Sequence, residues 1–364
     1  MDLMGSSPKK AEPKSKVVVV TPAPAPTSTR ISTRGKPAKQ LGWEEWEDKT
    51  ARILSKYTTD QRVAVSANFL EDEQEQKANK PVDQASARMA ELEAENEDSA
   101  QAKSFMTQKE YIAHIEEQHT RLKSSWAQNE RVVALKIAIQ CAKLLGDTSV
   151  PVFYPSMYVL LTSVLDTFGN LVYDRLLKNG REITKGKYTA LPDTFRAVDV
   201  CANSKEMCRN WFFKTACIRE LMPRLYIDLA LIKSYRFLHD DTYAAVLNRV
   251  SKSIRGVGDP LAATYARAYL TRKINDVTNS YYQDKGVHRA PPDSYKNSLL
   301  EAFDDFMFTF RHLEASEYKE VTAVSSGKIT KDKYVDLYSP AIEWLVQNVG
   351  FCSSEELFFA ILQQ

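Results

Sequence analysis

Glycine is scarce in this chain, which holds only 12 glycines among its 364 residues. So few glycines disfavour all-β and Rossmann-type proteins, because both need many tight turns. No apolar run approaches the roughly 18 residues of a transmembrane candidate, and residues 1–10 lack the apolar core of a signal peptide. Five scattered cysteines, an odd number, indicate a reducing compartment rather than a disulfide framework. We therefore expect a protein of a reducing compartment whose membrane contacts, if it has any, are peripheral.

The familiar catalytic and metal-binding motifs are also missing. None of the five histidines forms an HExxH or HxH motif or pairs with cysteine at zinc spacing. The stretch Ser326-Gly327-Lys328 lacks the upstream glycine of a phosphate-binding loop, and there is no GxSxG sequence. Asp304 and Asp305 are interpreted as a solvated helix face. The sequence thus predicts a protein that is not an enzyme, with no catalytic residues, no metal and no cofactor.

Composition divides the chain into a tail and a folded part. Residues 1–40 carry eight basic and two acidic residues among many Pro, Ser and Thr, and residues 71–100 carry ten acidic and three basic residues. Such segments bury too little apolar surface to offset their ordering entropy. We expect residues 1–104 to be a largely disordered tail and residues 105–364 to be folded. The net charge of +2 is too small to favour or to exclude binding to nucleic acid.

Two tryptophans, Trp43 and Trp46, interrupt the polar tail. A tryptophan in such a segment has no local core to enter, so it is typically used to dock on another surface. We predict a short docking segment at about 41–60. Its acceptor is either the body of this protein or a partner.

Helical patterns continue from about residue 107 to the end of the chain. Thr107-x-x-Glu110 is a capping box, Ser204 is expected to cap a later helix, and Asp259-Pro260 combines an N-cap with Pro at the first helical position. Ser339-Pro340 repeats that device before a helix expected to end at Gly350. Roughly ten helices in pairs that recur every 35–50 residues predict an all-α protein. Its architecture is expected to be a HEAT-like α-solenoid of helical hairpins, preceded by the disordered tail.

The segment Pro223-Arg224-Leu225-Tyr226 lies inside an amphipathic run that begins near Trp211. Because proline is tolerated only in the first turn of a helix, Pro223 is expected to open a new helix or to kink an old one. Arg224 and Tyr226 would then lie near a helix start, and both residue types are enriched at interfaces. Two interpretations stay open on this reasoning alone: a partner-binding surface, or a core helix whose arginine faces water.

Six sequence blocks, in order, resemble the large solenoid subunit of retriever, a family paralogous to the large retromer subunit. The most specific is Arg219-Glu220-Leu221-Met222-Pro223-Arg224-Leu225-Tyr226-Ile227. The other five are residues 46–59, 134–145, 165–173, 210–214 and 254–261. The resemblance extends from about residue 43 to the end of the chain.

The resemblance implies a non-enzymatic scaffold for endosome-to-plasma-membrane recycling of cargo, cytoplasmic and peripheral on endosomes. In this family the segment matching Pro223, Arg224, Leu225 and Tyr226 helps to dock an arrestin-like subunit near the N-terminal end of the solenoid. The block at 254–261 is interpreted as structural, with Gly256 and Gly258 in a tight turn. Implied partners include coiled-coil subunits of the larger commander assembly, with membrane association only through partners and no nucleic acid.

The chain also departs from the family pattern. The family chain is longer and binds a small subunit of metallophosphoesterase fold through a C-terminal solenoid half that is missing here, and residues 1–100 contain no Asp-Pro-Leu segment. The expectation is a truncated product that binds the arrestin-like subunit without building the full trimer. The alternative is a generic HEAT-like adaptor with another partner, nuclear in view of the basic tail.

Overall fold

Helices account for most of the architecture in the computed structural model, which describes residues 46–66, 103–184, 186–192, 195–239, 243–283, 293–319, 321–352 and Phe359. Of the expected disordered tail at 1–104, residues 1–45, which include Trp43, and residues 67–102 lie outside the described part of the chain. Within the described part there are twelve α-helices: α1 (Trp46–Tyr57), α2 (Gln108–Ala127), α3 (Arg131–Leu144), α4 (Tyr154–Lys178), α5 (Ala202–Ala216), α6 (Leu221–Ala230), α7 (Tyr243–Ile254), α8 (Pro260–Gln283), α9 (Asp293–Ala315), α10 (Thr322–Ser325), α11 (Lys331–Asp336) and α12 (Ser339–Cys352).

Successive helices pack as hairpins, as the pairing of helical segments predicted. Contacts join α2 with α3, α3 with α4, α5 with α6, α7 with α8, and α8 with α9. Helix α8 also packs against α6 and α12, and α4 against α1, α2 and α6. The predicted all-α solenoid of helical hairpins is confirmed, with α4 and α8 as its two most central helices.

Two small antiparallel sheets occur between helices, and the sequence patterns did not predict them. Strand β1 (Arg62–Ser66) pairs with β2 (Lys103–Thr107), with Val63 opposite Met106. Strands β3 (Arg181–Thr184) and β4 (Lys187–Thr189) form a hairpin after α4. Each strand has at most five residues, too short for the alternation of apolar and polar residues to stand out from the helical background.

The core is continuous and rich in aromatic residues. Every residue of α8 from Leu261 to Thr271 is buried, and α4 buries Tyr154, Tyr158 and Phe168 almost completely. Among the described helices, none is both long enough and apolar enough to span a membrane. Apolar burial of this extent, at roughly 25 cal/mol per Å², is the main force that stabilises the helical stack.

Helix boundaries agree with the sequence where the signal is local. The Thr107–Glu110 capping box is present in full, and Asp259 accepts a hydrogen bond from the Ala262 N–H at 2.9 Å. The prediction for Ser204 was wrong, because α5 begins after Cys201 and the buried Ser204 hydroxyl donates to the Leu176 carbonyl of α4. The predicted stop at Gly350 was also wrong, because α12 continues to Cys352.

Candidate partner-binding surface

Helix α6 carries the four residues that the sequence singled out, and Pro223 lies in its first turn. Glu220 precedes the helix in an extended conformation, and its carbonyl accepts the first helical hydrogen bond from the Arg224 N–H at 3.3 Å. Proline lacks an N–H, but the N–H groups of a first turn have no helical acceptor, so Pro223 costs little here. Of the two outcomes left open, Pro223 therefore opens a new helix. The expected continuous run from Trp211 is interrupted, since α5 ends at Ala216.

Burial separates the four residues into two kinds. Leu225 is 3% exposed and Tyr226 is fully buried, with its ring 5.3 Å from Tyr269 of α8. Pro223 is also buried, whereas Arg224 is half-buried. Leu225 and Tyr226 therefore anchor α6 in the core, and Arg224 is the one of the four with substantial exposure.

The buried carboxylate one turn further along α6 is paired with Arg249 rather than with Arg224, whose charge makes only a minor contribution to lowering the pKa of Asp228. Asp228 accepts from Arg249 at 2.6 Å and from the Tyr235 hydroxyl at 3.4 Å. Burial raises the pKa of Asp228, and Arg249 is the main group that opposes this rise. Within the described residues no ion pair of Arg224 occurs. Its guanidinium can therefore bind an acidic or carbonyl group of another molecule.

A groove of about 580 Å³ lies beside the start of α6, and we name it the α6 groove. Pro223, Leu221 and Met222 line one side, the end of α3 lines another, and the turn between α7 and α8 completes it. The Lys143 ammonium and the Glu220 carboxylate form an ion pair of 2.6 Å between α3 and the residue before α6. The groove therefore combines apolar residues with the exposed Lys143–Glu220 pair and two further carboxylates, Asp147 and Asp259.

Gly256 allows close packing at one wall of the groove, because a Cβ at this position would lie 3.2 Å from Leu221 Cδ2. At Gly146 a Cβ would meet Met222 Cγ at 3.6 Å, an ordinary contact distance. Asp259 links two sides of the groove, because one of its carboxylate oxygens accepts a hydrogen bond from the Thr148 hydroxyl, in the loop after α3, at 2.8 Å. The structure thus brings blocks 134–145, 219–227 and 254–261 together. Sequence reasoning missed Lys143 and Glu220 as groove residues, although both lie inside those blocks.

A second surface receives Trp46. Its ring lies 5.2 Å from the Trp344 ring of α12, and the Arg272 guanidinium of α8 lies 4.1 Å from its centroid. Ile53 and Tyr57, further along α1, are nearly fully buried. Trp43, the other predicted docking residue, lies outside the described residues.

Beneath Trp46 is a cluster of paired charges. Asp166 of α4 accepts from Arg272 and Lys273, at 2.7 and 2.5 Å, and from the Tyr269 hydroxyl at 2.9 Å. Burial by itself would raise the pKa of Asp166, but the two cations outweigh it and hold that pKa below its usual value. The arrangement pairs opposite charges at the junction of α4 and α8.

The candidate metal and acid–base residues stay apart. In the described part of the chain, no group of three or more His, Cys, Asp or Glu side chains could hold a metal ion. His119 bonds Thr167 at 2.8 Å, and burial with nearby Lys123 lowers its pKa. Burial raises the pKa of the Cys141 thiol to about 12, so this thiol is a core residue rather than a nucleophile.

Comparison with known proteins identifies the family from which these features come. A family model described as VPS35L matches residues 45–337, which include α1 and the α6 groove, whereas Trp344 of the second surface lies beyond the matched range. The chain belongs to the VPS35L family. It is 39% identical over 328 residues to the VPS35 endosomal protein-sorting factor-like protein of Danio rerio, covering 89% of this chain and 32% of that one. It is 38% identical over 321 residues to the Dictyostelium discoideum relative, covering 87% and 30%.

The human member of the VPS35L family is 35% identical over 325 residues, which cover 88% of this chain and 32% of the relative. The chain thus spans about a third of the length of the relatives that it matches. The resemblance to the large retriever subunit, made from six sequence blocks, is confirmed at the level of the family. The names of the relatives describe protein-sorting factors and no catalytic activity.

Proposed function

We propose that this chain is a non-enzymatic scaffold subunit of a retriever-type complex that recycles cargo from endosomes to the plasma membrane. Membership in the VPS35L family carries this proposal, because its relatives are named as endosomal protein-sorting factors. The solenoid supports it physically, since stacked helical hairpins expose ridges and grooves suited to binding other proteins. The chain would be cytoplasmic and would reach endosomes through its partners.

The α6 groove and Arg224 are the surface to which we assign the arrestin-like subunit. Arg224 is half-buried and makes no ion pair in the described part, and it directly follows Pro223, which lines the groove together with Leu221 and Met222. An arginine next to an apolar pocket is a frequent centre of binding energy at interfaces. Leu225 and Tyr226 would act indirectly, by holding α6 at the angle that presents Arg224.

Trp46 supports the second part of the proposal, in which the tail docks on the solenoid through α1. Coiled-coil subunits and a small metallophosphoesterase-fold subunit are further partners proposed on family membership.

Arg224→Glu tests the proposed surface in a pull-down of the arrestin-like subunit by the 364-residue chain. Reversing the charge of a central interface arginine should weaken binding at least tenfold, which corresponds to about 1.4 kcal/mol. Arg209→Glu is the matched control, because Arg209 is an exposed arginine of α5 that pairs with Glu206 on the same helix. Circular dichroism of both variants should match the unmodified chain.

The outcomes separate the proposal from its alternative. Loss of binding by Arg224→Glu, with retention by Arg209→Glu, would support docking at the α6 groove. Equal binding by all three proteins would move the interface elsewhere. If the unmodified, well-folded chain does not bind, the generic adaptor with a different, nuclear partner becomes the better hypothesis.

A further inference from the structure

Helix α1 is held on the solenoid by an electrostatic contact as well as by its apolar residues. Arg52 Nη2 lies 3.1 Å from a Glu343 carboxylate oxygen, and Lys56 Nζ lies 2.9 Å from Asp336. Both cations are about half exposed, at 47% and 50% of their side chains. A basic edge of α1 therefore faces an acidic edge formed by α11 and α12.

Ser55 lies on α1 beside both of these cations. It is exposed, it is one residue before Lys56, and its hydroxyl donates to the Arg52 carbonyl at 2.9 Å. Residues three apart on a helix are neighbours, so a group attached to Ser55 Oγ can reach the Arg52 guanidinium. Ser55 also lies in the last turn of α1, which ends at Tyr57.

We propose that Ser55 is a phosphorylation site and that its modification releases α1 from the solenoid. In the transfer, Ser55 Oγ forms a bond to the γ-phosphorus of ATP while the bond from that phosphorus to the β–γ bridging oxygen breaks. The hydroxyl proton goes to the base of a protein kinase, and ADP leaves. Arg52, three residues before Ser55, supplies a positive charge that an acidic kinase cleft can recognise.

The phosphate weakens the docking of α1 on the solenoid in three ways. It brings a charge of about −1.5 to −2 to a helix C-terminus, where negative charge is unfavourable. It competes with Glu343 for Arg52 and with Asp336 for Lys56, since phosphate binds arginine strongly. It also brings the basic edge of α1, which carries the two charges of Arg52 and Lys56, close to neutral, so the attraction to Asp336 and Glu343 is largely cancelled.

Release would expose the surface that Trp46 covers. That surface contains Trp344, Tyr158 and Arg272, which line a pocket of about 350 Å³ together with Trp46 itself. The kinase would act on α1 while it is transiently detached, and the phosphate would then stabilise the detached state. Phosphorylation thus shifts the equilibrium between docked and detached α1 towards the detached state.

Hydrogen exchange on the 364-residue chain with phosphoserine incorporated at position 55 tests the proposal. Backbone amides of α1 should exchange about tenfold faster than in the unmodified chain, whereas amides of α8 should be unchanged. Phosphoserine at position 326 is the control, because Ser326 is exposed and distant in sequence from α1. It should leave the exchange of α1 unchanged. Unchanged α1 exchange with phosphoserine 55 would overturn the proposal, and so would equally faster exchange in α1 and α8.

A second pair of variants separates charge from shape. Ser55→Glu should accelerate exchange in α1 in the same direction as phosphoserine, by a smaller factor, because it carries one negative charge. In Ser55→Gln the new side chain has nearly the same shape as glutamate but no charge, so exchange in α1 should match that of the unmodified chain. If Ser55→Gln releases α1 as much as Ser55→Glu does, the effect is steric and the electrostatic release is refuted.

Discussion

Gly169 marks a very close approach between two helices of the core. It lies in α4, and a Cβ built at this position would be 2.1 Å from the Ala230 carbonyl oxygen at the end of α6. Contacts below 3.0 Å to backbone atoms require the backbone itself to move. The position of α6, and with it the presentation of Arg224, therefore depends on the absence of a side chain at residue 169.

Gly169→Ala is expected to destabilise the chain by about 2–3 kcal/mol or more, the range of a strongly overpacked core. The measurement is the midpoint of urea unfolding, with the m-value compared between proteins. Gly258→Ala is the control, because its Cβ would meet nothing within 4 Å and its backbone is not in the left-handed region. It should change stability by less than about 1 kcal/mol. Similar losses in both variants would contradict the steric explanation.

At the scale of the element, the start of α8 depends on one aspartate. Asp259 accepts from the Ala262 N–H at 2.9 Å with one carboxylate oxygen, and from the Thr148 hydroxyl at 2.8 Å with the other. The first bond caps α8, and the second ties this cap to the loop between α3 and α4. One side chain thus fixes both the helix start and a wall of the α6 groove.

Asp259→Ala should cost about 1–2 kcal/mol of unfolding free energy, the usual effect of losing an N-cap. In a double-mutant cycle with Thr148→Ala, a coupling of about 0.5–1.5 kcal/mol is expected for the hydrogen bond. Asp174→Ala is the control, because Asp174 is an exposed aspartate of α4. Its unfolding free energy should be within about 0.5 kcal/mol of that of the unmodified chain. Additive losses from Asp259 and Thr148 would show that the loop is not energetically tied to the cap.

These elements also show which structural features a sequence can reveal. The cap at Asp259 and the capping box at Thr107 are visible because their partners lie within three residues. Ser204 carries the same cap signal, but its hydroxyl bonds Leu176, a partner 28 residues earlier along the chain. Gly350 costs about 1 kcal/mol inside a helix, yet the fully buried Val349 before it keeps α12 continuous.

The candidate site was predicted only in part from the sequence. Sequence reasoning and family resemblance selected α6 and its helix start at Pro223. They did not predict that Arg224 is partly exposed while Tyr226 is buried, because the sequence of α6 alone does not reveal that α8 covers the tyrosine. The Lys143–Glu220 pair depends on tertiary packing of α3 against α6, which no local pattern specifies.

At the scale of the whole molecule, two aromatic clusters are joined by α4. Phe168 of α4 lies 6.3 Å from Trp126 and 5.7 Å from Trp211. About three turns earlier, Tyr158 of the same helix stacks at 5.5 Å on Trp344 of α12. Independent repeats of a solenoid contact only their neighbours, but here one helix of 25 residues is shared by both clusters.

We therefore expect the described solenoid to unfold as one cooperative unit. With 5-fluorotryptophan incorporated, the native ¹⁹F resonances of Trp126, Trp211 and Trp344 should disappear at the same urea concentration. Loss of either cluster removes buried partners of α4, and each buried aromatic side chain contributes about 1.5–3 kcal/mol, so neither cluster is stable alone. Trp46 is the internal comparison: because α1 contacts the solenoid through one face, its resonance should change at an equal or lower urea concentration. A midpoint for Trp344 clearly separate from that of Trp211 would mean that α4 does not couple the two ends, and that the chain behaves as independent repeats.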